Sequence, residues 1–105
     1  MRGVRRKDEM KIPEIKLTPT PESDEARQAI GYKWNDEAGT RHKLGGQPDW
    51  VQSEETPSCT DCGKIMMFYG QLDSIGDDFG LADCGMVYVF VCLDCFTTKS
   101  ILQSS

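Results

Sequence analysis

An α+β fold that is mainly β, a small antiparallel sheet with one short N-terminal helix, is the class predicted by this sequence, and three observations predict it. At 105 residues the chain is one domain, and such a chain buries only somewhat more than about 60% of the surface its unfolded form exposes, so its core is thin. Its second half holds two apolar stretches of strand length, one running from about Ile65 to Leu72 and one from Met86 to Val91. Each stretch abuts a Cys-X-X-Cys pair, "CTDC" before the first and "CLDC" after the second, which is the layout of a hairpin with a four-cysteine, zinc-ribbon-like end.

The elements follow in order. Residues 1–10, "MRGVRRKDEM", read as a flexible basic tail, and because no apolar stretch follows, the tail does not read as a secretory signal. Residues 11–105 read as the single zinc-knuckle-bearing domain. Lys11 to Pro19 alternates at Ile15 and Leu17 and carries Pro13, which cannot donate to a ladder and so suits an edge strand. "TPESDEARQAIG" predicts a short helix with Thr20 as N-cap, Pro21 in the first helical position, acids in the first turn and Gly31 as the stop. Asn35 to Gly39 reads as a turn, and two glycines and a proline break any regular element over Leu44 to Trp50.

After the first strand of the hairpin, the glycine- and aspartate-rich segment Asp73 to Gly85 reads as an acidic turn. It is no calcium loop, because Ile75 stands where such a loop needs Asp or Asn. Past the second cysteine pair, Phe96, Thr98, Ser100 and Leu102 alternate as in a final half-buried strand. Tyr69, Tyr88 and Phe90 lie in apolar strands without interleaved Lys or Arg, which favours core packing over a stacking platform for bases.

Geometry brings the thiols together. The two hairpin strands are six to eight residues long at roughly 3.3 Å per residue, so they retrace the same distance and return both cysteine pairs to one end. Cys59, Cys62, Cys92 and Cys95 are then in reach of a single tetrahedral Zn²⁺. The 29 residues between Cys62 and Cys92 exceed the usual ribbon spacing of 15–20 residues, and the long hairpin accounts for the excess. Gly63 suits the positive φ such a turn needs; Phe96 takes the equivalent place after the second pair, so that turn is expected to differ or to be imperfect.

Other chemistries fit less well. A Cys-X-X-Cys acting in thiol redox exchange sits at a helix N-terminus near a βαβ pattern, and here one pair precedes a strand and the other follows one. Four thiols that hold no metal are the remaining reading. His42, the single histidine, reads as a loop residue rather than a ligand or base, and Cys84, the fifth cysteine, as a small buried hydrophobe. A closed shell of four cysteines leaves no open coordination position, and no paired carboxylates accompany it, so an enzyme is not expected.

Charge bears on partners. Residues 1–48 hold ten Lys and Arg against eight acids, whereas residues 49–105 hold Lys64 and Lys99 against nine acids. The cysteine-bearing half would repel a phosphate backbone, so a nucleic-acid-binding zinc ribbon is the disfavoured alternative and would depend on the basic tail. A basic protein surface is the partner this field would steer in. The longest apolar run, Met86 to Leu93, is far short of the roughly 20 residues of a membrane span. An odd number of cysteines argues against a disulfide framework and for a reducing cytoplasm.

The ordered series "HKLGGQPDWVQ", "PSCTDCGKIMMFYGQLD", "DCGMVYVFVCLDC" and "LQSS" resembles the YwqG-like family of bacterial proteins of unknown function, over about residues 11–105. More distantly it is similar to the programmed cell death protein two family, which shares the Gly-Gly-x-Pro-x-Trp segment and paired cysteines. The resemblance implies a β-rich α+β domain in compact form and marks Gly45, Gly46, Pro48, Trp50 and Gln52 as a family motif, binding or structural. It implies no catalytic residue. Taken with the closed four-cysteine chemistry, it leads to the expectation of a non-catalytic protein-interaction module stabilised by one structural Zn²⁺.

Overall fold

In a computed structural model, residues 11–30, 39–76, 81 and 85–104 are described. Among them the chain forms five strands and one helix: β1 (Ile15–Lys16), α1 (Asp24–Ala29), β2 (Lys43–Leu44), β3 (Met67–Asp73), β4 (Met86–Val91) and β5 (Thr98–Gln103). The strands make one antiparallel sheet in sequence order, β1-β2-β3-β4-β5. This is the small, mainly β sheet expected, with very little helix.

β4, "MVYVFV", is the centre because its alternation is strict. Met86, Tyr88 and Phe90 face the core with no exposed surface, while Val87, Val89 and Val91 line the other face half-buried. β3 runs beside it from Met67 opposite Val91 to Asp73 opposite Met86, with the register slipping between Phe68 and Gly70. The slip is a bulge that pushes Tyr69 out to 47% exposure, so Tyr69 is not the core residue expected, whereas Tyr88 and Phe90 are.

Three boundaries differ from the sequence reading. The helix is capped by Ser23, not Thr20: the Ser23 hydroxyl accepts from Ala26 N–H at 3.0 Å, and Asp24 and Glu25 fill the first turn. Serine is the stronger cap, and starting three residues later sets two acids against the positive end of the helix rather than Pro21. Gly31 and residues 35–38 of the expected turn lie outside the described residues, as do 77–80 and 82–84 of the acidic turn. The edge strand over Lys11 to Pro19 is shorter than expected, Ile15 and Lys16 with Leu17 N–H donating to His42 C=O at 3.0 Å beyond them, and Leu44 belongs to β2, so the irregular stretch begins at Gly45.

β5 is a strand, but its buried face is the opposite of the one expected. Ile101 lies across from Tyr88 and Gln103 across from Met86, while Leu102 pairs with Val87 and stays 53% exposed. Phe96 is 73% exposed. Register with β4 decides this, since a one-residue offset exchanges the two faces of a strand.

A loop supplies the layer that a second sheet would give in a larger domain. Residues 45–57 cross the core face, where the Trp50 ring lies 4.6 Å from Tyr88 and 6.0 Å from Phe90 between centroids. Buried polar side chains hold its main chain. The Tyr88 hydroxyl donates to Asp49 C=O at 2.8 Å and accepts from Val51 N–H at 2.9 Å. Gln71 accepts from Asp49 N–H at 3.0 Å, and Gln103 accepts from Gln52 N–H at 2.9 Å. Each of these polar atoms is satisfied, which is the condition for burying it.

Candidate metal centre

The two cysteine pairs are two copies of one turn. Gly63 N–H donates to Cys59 C=O at 2.8 Å and Cys59 N–H to Lys64 C=O at 2.7 Å; Phe96 N–H donates to Cys92 C=O at 2.7 Å and Cys92 N–H to Thr97 C=O at 2.8 Å. The residue after each second cysteine is left-handed, Gly63 at φ 77° and Phe96 at φ 57°. The second turn therefore keeps the geometry of the first and places a phenylalanine where glycine fits, at a cost of about 1–2 kcal/mol. The turns also brace one another reciprocally. Lys64 Nζ meets Asp94 Oδ2 at 2.7 Å, and Thr97 Oγ1 donates to Asp61 Oδ2 at 3.0 Å. In each case the residue five after the leading cysteine reaches the aspartate two after the leading cysteine of the other turn.

All four Sγ atoms of Cys59, Cys62, Cys92 and Cys95 lie within 4.8 Å of one another, with Cys62 and Cys92 at 3.7 Å. Zn–S bonds of about 2.3 Å give a tetrahedron with S···S edges of about 3.8 Å, whereas a disulfide needs about 2.05 Å. The four are free thiols at the spacing of a metal shell. Cys59 and Cys92 are buried, and Cys62 and Cys95 are exposed.

The electrostatics of the thiols suit a cation. The Cys62 N–H first, and then the Asp61 N–H at 3.4 Å from the sulfur, lower Cys59 to about 7. Hydrogen bonding with the Cys62 sulfur, then burial, then the neighbouring Cys59, push Cys95 up to about 12. Sulfurs this close cannot all carry charge without a positive ion among them. If bound here, a Zn²⁺ ion would supply that charge and tie the two turns; these cysteines would be its ligands.

The Gly45–Gln52 segment sits apart from the thiols, as the strap over the core face. Gly45 has φ 66°, and a Cβ there would collide with the carbonyl oxygens of Ile12 and Pro13. Gly46, at φ 70°, donates its N–H to Ile12 C=O at 2.7 Å. Pro48 lines an apolar groove, Trp50 covers the aromatic core, and the Gln52 amide donates to Ser104 C=O. The contacts of these five residues within the chain are structural ones.

Sequence reasoning missed a buried charge cluster at the far end of β3. The Asp73 carboxylate has no exposed side-chain surface and takes Arg41 Nε and a second guanidinium nitrogen at 2.8 Å each, plus Gly39 and Arg41 N–H at 2.8 and 3.0 Å. Burial alone would raise its pKa, but the Arg41 hydrogen bonds, its charge and the backbone N–H groups outweigh that and hold Asp73 below the usual carboxylate range. Lys43 bridges Glu14 at 2.9 Å and Asp49 at 3.0 Å; burial favours losing its proton, yet the two acids raise its pKa. Parity was the available signal, because Lys43, Gln71 and Asp73 alternate onto the core face. His42 accepts from Asp73 N–H through Nδ1 at 2.9 Å, a structural contact. Cys84 lies outside the described residues.

No family model matches the chain, and no solved structure matches it. Over 66 residues, 63% of its length, the chain is 38% identical to the uncharacterized protein YpfL of Salmonella typhimurium strain LT2. It covers 16% of that protein's length, so the similarity concerns a small part of a much longer chain. No helix among the described residues is long and apolar enough to cross a membrane.

Proposed function

We propose that this chain is a non-catalytic protein-interaction module whose fold is held by one structural Zn²⁺ on Cys59, Cys62, Cys92 and Cys95. The observation that carries the reading is the mutual approach of four sulfurs to within 4.8 Å, delivered by two turns of the same hydrogen-bond pattern. Such a donor set closes a tetrahedral shell, which serves structure rather than reaction. The charge of residues 49–105, nine acids against two lysines, supports a basic protein surface as the partner. On this reading the chain is YwqG-like, a reading that rests on the run of motifs from Gly45 to Cys95, and works in a bacterial cytoplasm; similarity to a Salmonella protein supports the bacterial part alone.

Elemental analysis of protein purified without added metal tests the metal reading: one zinc per chain is the expected result, and a metal-free, fully folded protein would overturn it. Pull-down at low salt, where steering is strongest, tests the partner. A specific protein released as salt rises is expected, and no protein retained at low salt would count against an interaction role.

A further inference from the structure

β5 is the last strand of the sheet, with β4 on one side and no strand among the described residues on the other. Its register with β4 runs without a bulge from Thr98 opposite Val91 to Gln103 opposite Met86. Cys92 N–H donates to Thr97 C=O at 2.8 Å, which fixes the phase of the ladder. Bonded and non-bonded pairs alternate along an antiparallel ladder, so Lys99, Ile101 and Gln103 exchange main-chain bonds with β4. The N–H and C=O groups of Thr98, Ser100 and Leu102 therefore point outward, and no group among the described residues takes them up.

An open edge of this kind is guarded in other sheets by a proline, a bulge or a charge. β5 has neither of the first two, and its one charge is Lys99. Lys99 is exposed and makes no ion pair among the described residues. Gln103 shares its face of the strand, four residues on, and there Gln103 Nε2 donates to Glu55 Oε2 at 2.5 Å. The Glu55 carboxylate is likewise exposed and without an ion pair among the described residues. The edge thus carries an uncompensated positive charge toward its start and an uncompensated negative charge at its end.

We propose that a second copy of this chain pairs with this edge, β5 against β5, antiparallel about a two-fold axis at Ser100. A two-fold exchanges the ends of a strand, so it lays the lysine end of each copy against the acidic end of the other. Thr98 of one copy then exchanges bonds with Leu102 of the other, and Ser100 with Ser100, about six N–H···O bonds in all. Charge and bond number choose this register. An axis at Lys99 would set two lysines directly opposite one another, and an axis at Ile101 would forfeit a bonded pair. With the axis at Ser100, Lys99 stands opposite Ile101 of the other copy and diagonal to its Gln103, beside which Glu55 is held. The other edge of the sheet, β1, is two residues long, so growth stops at two copies. The inference goes beyond the partner proposed above and needs neither that partner nor the metal.

Sedimentation equilibrium of the full chain from micromolar to millimolar concentration tests the proposal, with amide hydrogen exchange read at both ends of that range. The weight-average mass should rise toward twice that of the monomer, and the amides of Thr98, Ser100 and Leu102 should gain protection only at the high end. Ser100→Pro removes an N–H that the ladder with β4 does not use, so it should keep the circular dichroism spectrum and stay monomeric. Lys99→Glu and Glu55→Lys should each weaken the dimer, and the two together should restore it, which a loss of folding cannot imitate. Gln103 keeps a partner in Glu55→Lys, because its amide also donates to Ser53 C=O at 2.6 Å. A wild-type chain that stays monomeric, assemblies that do not stop at two, a Ser100→Pro chain that dimerises undiminished, or a double reversal no better than either single one would each overturn the proposal.

Discussion

Asp73 illustrates how one side chain can anchor a fold of this size. Its carboxylate is buried against Arg41, whose own side chain is 32% exposed, so the pair is only partly shielded from water. Asp73→Asn leaves the guanidinium without its charge partner and is expected to cost about 2–4 kcal/mol, below the top of the range for breaking a buried pair because of that exposure. The pH dependence has a definite sign. The folded pKa lies below the unfolded value, so the stabilisation is complete above the ordinary aspartate range and is lost as pH falls through the folded pKa. Urea titrations at descending pH should show an acid loss of stability that is smaller in Asp73→Asn. Among the glycines, Gly45→Ala should destabilise by at least about 2 kcal/mol, since left-handed strain adds to a collision with two backbone carbonyls. Gly63→Ala, with open space around it, should cost about 1 kcal/mol. Paired denaturant curves of metal-loaded protein distinguish the two.

At the level of elements, the two cysteine turns behave as one unit because each grips the other. Cys62→Ser or Cys95→Ser is expected to leave a loosely packed, aggregation-prone chain with no bound zinc, read by dye binding and elemental analysis. Cys84→Ser, which removes no member of the four-sulfur cluster, should be mild, and equal behaviour of all three variants would contradict the ligand assignment. The cross-braces are weaker by nature. The Lys64 side chain is 61% exposed and that of Asp94 35%, so water screens the pair, and such pairs contribute about 0–1 kcal/mol. Lys64→Met combined with Thr97→Val should therefore keep the fold but speed transfer of the metal to a competing chelator, with a loss of affinity no larger than about tenfold.

At the scale of the molecule, one sheet face and the loop over it make a small interior among the described residues. A structural zinc is worth about 10–16 kcal/mol in small peptides, against about 5–15 kcal/mol for the entire stability of an ordinary domain. Metal removal is accordingly expected to unfold the cysteine-bearing end, and near-ultraviolet circular dichroism of the Trp50, Tyr88 and Phe90 cluster should collapse on chelation and recover with added Zn²⁺. Because thiols must lose their protons to ligate, metal uptake should release protons and weaken as pH falls, measurable by chelator competition. Retention of the aromatic signal in metal-free protein would mean that the apolar interior suffices by itself.

The sequence by itself determined the long hairpin and the convergence of Cys59, Cys62, Cys92 and Cys95. Two alternating strands of matched length return to their starting end whatever surrounds them, and Met86 to Val91 is patterned so strictly that its buried face is legible. It also determined that Gly63 would be left-handed. Only the tertiary structure decided which face of β5 is buried, because Leu102 and Ile101 differ by one position and the register with β4 makes the choice. The same holds for the outward turn of Tyr69 at a bulge, for the seating of Trp50, and for the burial of Asp73 beside Arg41, 32 positions away in the chain. Local periodicity records which way a side chain alternates; long-range pairing sets the origin from which that alternation is counted.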